Sequence, residues 1–187
     1  ALCPHAELYI GLVEVGVGVI PAGGGTKESV VRAIESIPAD NTDISRLPYL
    51  AKVFENIATA KVSTSAYEAK RYNYVRKTDR ITVSRDALLN NAKQMALGMA
   101  RSGYRPPAPP DWLLLPGRDG IGLLEAGMQQ FMGGGFMSPH DYVVCSKLAH
   151  IICGGDIRPG TRVTEQYLLD LECEAFLSLM GMEKTQD

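Results

Sequence analysis

Gly11-Leu-Val-Glu-Val-Gly-Val-Gly-Val-Ile-Pro-Ala-Gly-Gly-Gly-Thr26 is the stretch on which the reading of this chain turns. From Tyr9 to Pro21, β-branched residues alternate with glycines, a pattern of extended or loop backbone where chains approach closely. Gly23-Gly24-Gly25-Thr26 then leads into a predicted helix over Lys27–Ile37, with Val30, Val31, Ile34 and Ile37 along one side. Thr26 is the expected N-cap, and Ser29 at the third helical position leaves no reciprocal capping box. Leu8–Gly25 carries a single charge, Glu14, but its six glycines and Pro21 make poor material for a membrane-spanning helix. No basic residue precedes it, so it does not read as a signal peptide.

Two features of the stretch have chemical meaning. A carboxylate held among Leu12, Val13, Val15 and Val17 meets a desolvation penalty when ionised, which suits a group that takes and returns a proton. The alternative for Glu14 is a strand-edge glutamate turned to water. Free N–H groups at the helix start after Gly23–Gly25 would form an electropositive pocket for an oxyanion. The alternative there is a structural tight turn, since neither G-x-G-x-x-G nor G-K-[ST] is present.

Outward from this stretch, glycine is absent between Thr26 and Leu97, which marks regular, helix-rich structure. Further helices are predicted at Tyr49–Thr59, Ser65–Tyr72, Asp86–Ser102, Ile121–Met132, Pro139–Cys153 and Glu165–Leu179. Thr64 or Ser65 caps the third helix, and Asn73 ends it in a left-handed turn. Short strands or extended pieces are expected at Tyr74–Arg76 and Ile81–Val83. Arg105-Pro-Pro-Ala-Pro-Pro110 is stiff polyproline-like chain and the clearest internal boundary.

Composition narrows the function classes. The 187 residues are 45 % hydrophobic and 21 % charged with a net charge of −2, the profile of an ordinary globular protein. That balance offers no basic footprint for nucleic acid and no polybasic surface for anionic lipid. Cys3, Cys145, Cys153 and Cys173 are too scattered for a disulfide scaffold, so reduced thiols and a cytoplasmic location are expected. His5, His140 and His150 show no metal-ligand spacing and read as surface or capping residues. No nucleophile–base–orienter set is visible.

Taken together, the opening stretch resembles the second active-site segment of the crotonase (enoyl-CoA hydratase/isomerase) superfamily, G-x-x-E-x-x-x-G-x-x-P-x-x-G-G-T. The matching positions are Gly11, Glu14, Gly18, Pro21, Gly24, Gly25 and Thr26. Ser65-Ala-Tyr-Glu-Ala-Lys-Arg-Tyr-Asn-Tyr-Val75 looks like the family's S-A-x-E-A-x-x-x-G-L-V, with Asn73 at the usual glycine. Lys61-Val-Ser-Thr-Ser65, Gly154-Gly-Asp156 and Thr164-Glu-Gln-Tyr-Leu-Leu-Asp-Leu-Glu172 extend the likeness. Together they resemble the bacterial β-oxidation fusion proteins in which a 3-hydroxyacyl-CoA dehydrogenase precedes an enoyl-CoA hydratase region.

The resemblance implies a mostly α (α+β) fold: the helix-rich C-terminal half of a crotonase-like (ClpP/crotonase) domain with its central β-spiral largely missing. Residues 1–104 would form that half, and residues 105–187 a proline-rich linker and helical extension. It also implies a site for acyl-CoA thioesters, with Glu14 as general acid/base and Gly11, Pro21, Gly23, Gly24 and Gly25 around the substrate. The family's first glutamate and its oxyanion-hole donors come from upstream segments not found here. The chain, which opens at Ala1-Leu2-Cys3 without methionine, is therefore expected to be a piece of a longer enzyme and inactive by itself. No cofactor is expected on this piece, with NAD and acyl-CoA used by the intact protein. Homo-oligomers or a thiolase complex are the implied partners of that protein. Enoyl-CoA isomerisation with a single glutamate, or a non-catalytic assembly module, are the alternatives.

Overall fold

The computed structural model describes residues 4–38 and 40–186. Among these the chain is helix-rich. Its helices are α1 (Gly25–Ile34), α2 (Leu47–Ala58), α3 (Ala66–Arg71), α4 (Leu88–Arg101), α5 (Gly117–Gly133), α6 (Pro139–Ile152), α7 (Glu165–Met180) and α8 (Glu183–Gln186). Four two-residue strands accompany them: β1 (Ile10–Gly11), β2 (Val62–Ser63), β3 (Leu113–Leu114) and β4 (Arg162–Val163). They form two antiparallel pairs, β1 with β2 and β3 with β4.

The chain divides into two compact units, one of residues 1–11 and 62–109 and one of residues 12–61 and 110–187. The crossing at 109/110 falls inside the proline-rich stretch, where stiff extended chain has few neighbours to bind it.

In the first unit, β1 runs against β2 with Ile10 opposite Ser63 and Gly11 opposite Val62. Ser63, fully buried, donates its hydroxyl to the Leu8 carbonyl at 2.9 Å. Ser65 caps α3 by accepting from the Glu68 N–H, and Asn73 ends it at φ +64, both as the sequence predicts. Of the two pieces expected to be extended, Tyr74–Arg76 needs correcting. The Val75 N–H returns to the Ala69 carbonyl, and Asp79 accepts from the Arg76 N–H, so this backbone is spent on turns. Ile81–Val83 does pair, in a single bridge at which Thr82, opposite His5, donates to the Pro4 carbonyl and accepts from the Ala6 N–H.

The second unit is built around α6, which packs on α1, α2, α5 and α7. Val144, Cys145, Leu148, Ala149, Ile151 and Ile152 are all buried. A helix apolar on so much of its circumference belongs inside a bundle rather than on its surface. A capping box holds its start, Ser138 accepting from the Asp141 N–H and Asp141 from the Ser138 N–H. Gly117 opens α5 at φ +56, where a Cβ would run into the Ile157 carbonyl, so no larger residue fits.

Leu148 is completely buried and Leu123 is 62 % exposed on neighbouring α5. Leu148→Ala is expected to cost about 2–5 kcal/mol of stability, whereas Leu123→Ala should stay within about 0.5 kcal/mol. Urea unfolding of the two variants checks this.

Candidate functional site

Of the extended and looped forms open to the segment that carries Glu14, the structure takes the looped one. After Gly11 the chain enters a 3-10 turn over Glu14–Val17, in which the Gly16 N–H donates to the Val13 carbonyl and the Gly18 N–H to that of Val15. Gly18 closes the turn at φ +77. The apolar neighbourhood expected for Glu14 therefore splits: Val15 is buried, while Val13 and Val17 face outward. Glu14 itself is half-buried. Its Oε2 is shut off from solvent and meets no hydrogen-bond donor among the described residues.

Pro21 is buried, Gly23 exposed, and Gly24 and Gly25 half-buried. Gly24, not Thr26, is the N-cap of α1, in the left-handed conformation at φ +89. Thr26 lies one residue inside the helix, fully buried, and donates its hydroxyl to the Pro21 carbonyl at 3.0 Å. Gly11 belongs to the first unit, in β1; the other candidate residues lie in the second.

The helix start holds a residue that the sequence reading missed. Glu172, on α7, is completely buried and accepts the Gly24 N–H on Oε2 at 2.8 Å and the Lys27 N–H on Oε1 at 2.5 Å. The expectation of free N–H groups here is thus corrected, because the negative charge that α1 attracts comes from the chain itself. Burial pushes the Glu172 carboxyl above its ordinary range, while the N–H groups of Lys27, Gly24 and Thr26 and the Lys27 charge pull the other way. The one sequence signal was its register: Leu168, Glu172, Ala175 and Leu179 share a face, a charge inside an apolar stripe.

Charges ring this point. The Lys27 ammonium pairs with Glu165 at 2.7 Å and Glu28 at 3.3 Å, and Arg32 pairs with Glu28 at 2.8 Å. Burial works against the Lys27 charge, but the two carboxylates outweigh it and raise its pKa. At the other end of the loop, the Thr185 hydroxyl donates to the Gly18 carbonyl and lies 3.0 Å from His140 Nε2.

Other groups stand apart. One groove includes Arg46, Leu47, Leu115, Asp119 and Pro159, and a second includes Glu125, Ser146, Lys147, His150 and Glu174; neither takes in Glu14. Among the described residues no cluster of three metal-ligating side chains occurs, and no helix is long and apolar enough to cross a membrane.

No family model matches the chain. It is 43 % identical over 181 residues, 97 % of its length, to a Bacillus subtilis (strain 168) protein named probable 3-hydroxyacyl-CoA dehydrogenase. The aligned part is 22 % of that relative, so the chain spans under a quarter of the length of the curated protein it matches.

The thiols sort by burial. Cys145 is pushed up to about 11 by burial and the nearby Asp141 charge, and Cys153 to about 12 by burial. Cys173 is exposed, and Cys3 lies outside the described residues. Iodoacetamide at pH 8 should alkylate Cys173 in the folded chain and reach Cys145 and Cys153 only in denaturant, as read by peptide mass mapping.

Proposed function

We propose that this chain is part of a longer fatty-acid β-oxidation enzyme and contributes Glu14 to the hydration of enoyl-CoA thioesters. Glu14 Oε2 carries the reading: a buried carboxylate oxygen with no donor is a group without its chemical partner. The similarity to a protein named for 3-hydroxyacyl-CoA oxidation supports the same metabolism, because hydration of a 2-enoyl-CoA makes the 3-hydroxyacyl-CoA that such an enzyme oxidises. The likeness of residues 11–26 to the crotonase segment supports the hydratase step and a crotonase-like architecture.

In this reading Glu14 exchanges a proton with the acyl chain beside the thioester while water adds across the double bond. Gly23 and Gly25 border the substrate, and Pro21 and Gly24 shape the backbone around it. The oxyanion donors come from elsewhere in the intact polypeptide. The glycine turn before α1 is the natural place for a pyrophosphate, and there Glu172 already holds the Gly24 and Lys27 N–H groups.

The intact polypeptide is expected to hydrate crotonyl-CoA, and Glu14→Gln to lower kcat by about 10²–10⁴-fold. The 187 residues alone are expected to give no turnover. Loss of a 3-enoyl-CoA shift but not of hydration in Glu14→Gln would favour isomerase chemistry instead. Full hydration by Glu14→Gln would defeat the proposal.

A further inference from the structure

We propose that Glu172 is a positioning residue for Glu14, an inference that rests on the acyl-CoA reading above. Glu14 Oε2 has no hydrogen bond of its own, so the geometry of its backbone decides where that carboxylate points. That backbone is a loop hooked at both ends to the first turn of α1. On one side Leu12 lies against Gly25, its Cδ2 2.8 Å from where a Cβ would stand. On the other, the Thr26 hydroxyl holds the Pro21 carbonyl, with Ile20 fully buried beside it in sequence. Within the loop the Val19 N–H donates to the Glu14 carbonyl at 3.3 Å.

Glu172 fixes the turn to which both hooks attach. Its two oxygens take N–H groups on either side of Gly25 and Thr26, so the carboxylate sets the turn's orientation at two points. Leu169, one helical turn earlier on α7, packs 3.5 Å from the Cβ position of Gly24 and blocks sideways movement. Lys27 does not share the role, because its ammonium turns to Glu165 and Glu28. A neutral amide in place of Glu172 presents an NH₂ to one of the two N–H donors and loses that hold.

The test uses the intact polypeptide with crotonyl-CoA, at a temperature where each variant is folded by circular dichroism. Glu172→Gln is expected to lower kcat about ten- to a hundredfold with KM within about twofold, as misplacement of a catalytic group does. Thr26→Val, which cuts one hook and leaves Glu172 in place, is expected to lower kcat severalfold, and Thr26→Ser to restore it. A folded Glu172→Gln enzyme with wild-type kcat, beside an inactive Glu14→Gln, overturns the positioning role alone and leaves Glu172 a purely structural cap. If Glu172→Gln does not fold, the Thr26 pair decides, and equal kcat for Thr26→Val and wild type overturns the inference. No hydration by the wild type, or full hydration by Glu14→Gln, defeats the acyl-CoA reading and this inference with it.

Discussion

A single buried carboxylate organises the second unit. Removing Glu172 from water is costly, and the cost is offset by the two backbone N–H groups it accepts and by the positive end of α1. Because those N–H groups have no partner within their own helix, the contact solves two problems at once: an uncapped helix start and an unpaired charge. It also explains the layout nearby. With the turn N–H groups taken, Lys27 reaches to Glu165 on the same helix as Glu172, so α1 and α7 are joined by a buried contact and a half-buried ion pair. Under that joint α6 contacts both helices and buries its apolar surface against them.

What the sequence made legible was local. Helices α2 to α7 follow the periodicity of their apolar residues, and Ser65 and Asn73 mark the ends of α3 because capping and left-handed turns depend on residues a few places apart. Where a strand partner is lacking, local pattern does not make a strand. Alternation of valine and glycine leaves strand and loop both open, and beyond Gly11 no partner runs alongside, so the chain closes bonds with itself around Glu14. Tyr74–Arg76 fails likewise, its donors absorbed by α3 and Asp79. The pair β3–β4 escaped notice because two residues on each side carry no alternation.

The candidate site was half visible. Glu14 stood out as the sole charge in a long apolar and glycine-rich run, and its buried oxygen keeps it the most conspicuous acid of the described residues. Glu172 did not stand out, because a glutamate in a helix rich in acids looks solvated until its place among Leu168, Ala175 and Leu179 is noticed. Long-range contact between a side chain and a backbone turn leaves no spacing to read. The glycine turn therefore looked open to an external anion when the fold fills it from within.

Glu172 and Gly24 are separated by 148 positions. During synthesis from the N-terminus, α1 emerges long before the residue that caps it, and so do Ile20 and Val30, which end up with no exposed surface. Residues 12–61 must wait while 62–109 are made and until α6 and α7 follow. The second unit is thus an assembly of two separated segments whose earlier one stays sticky in the interval, and its folding is paced by the ribosome's progress toward residue 172 and by whatever shields that segment meanwhile.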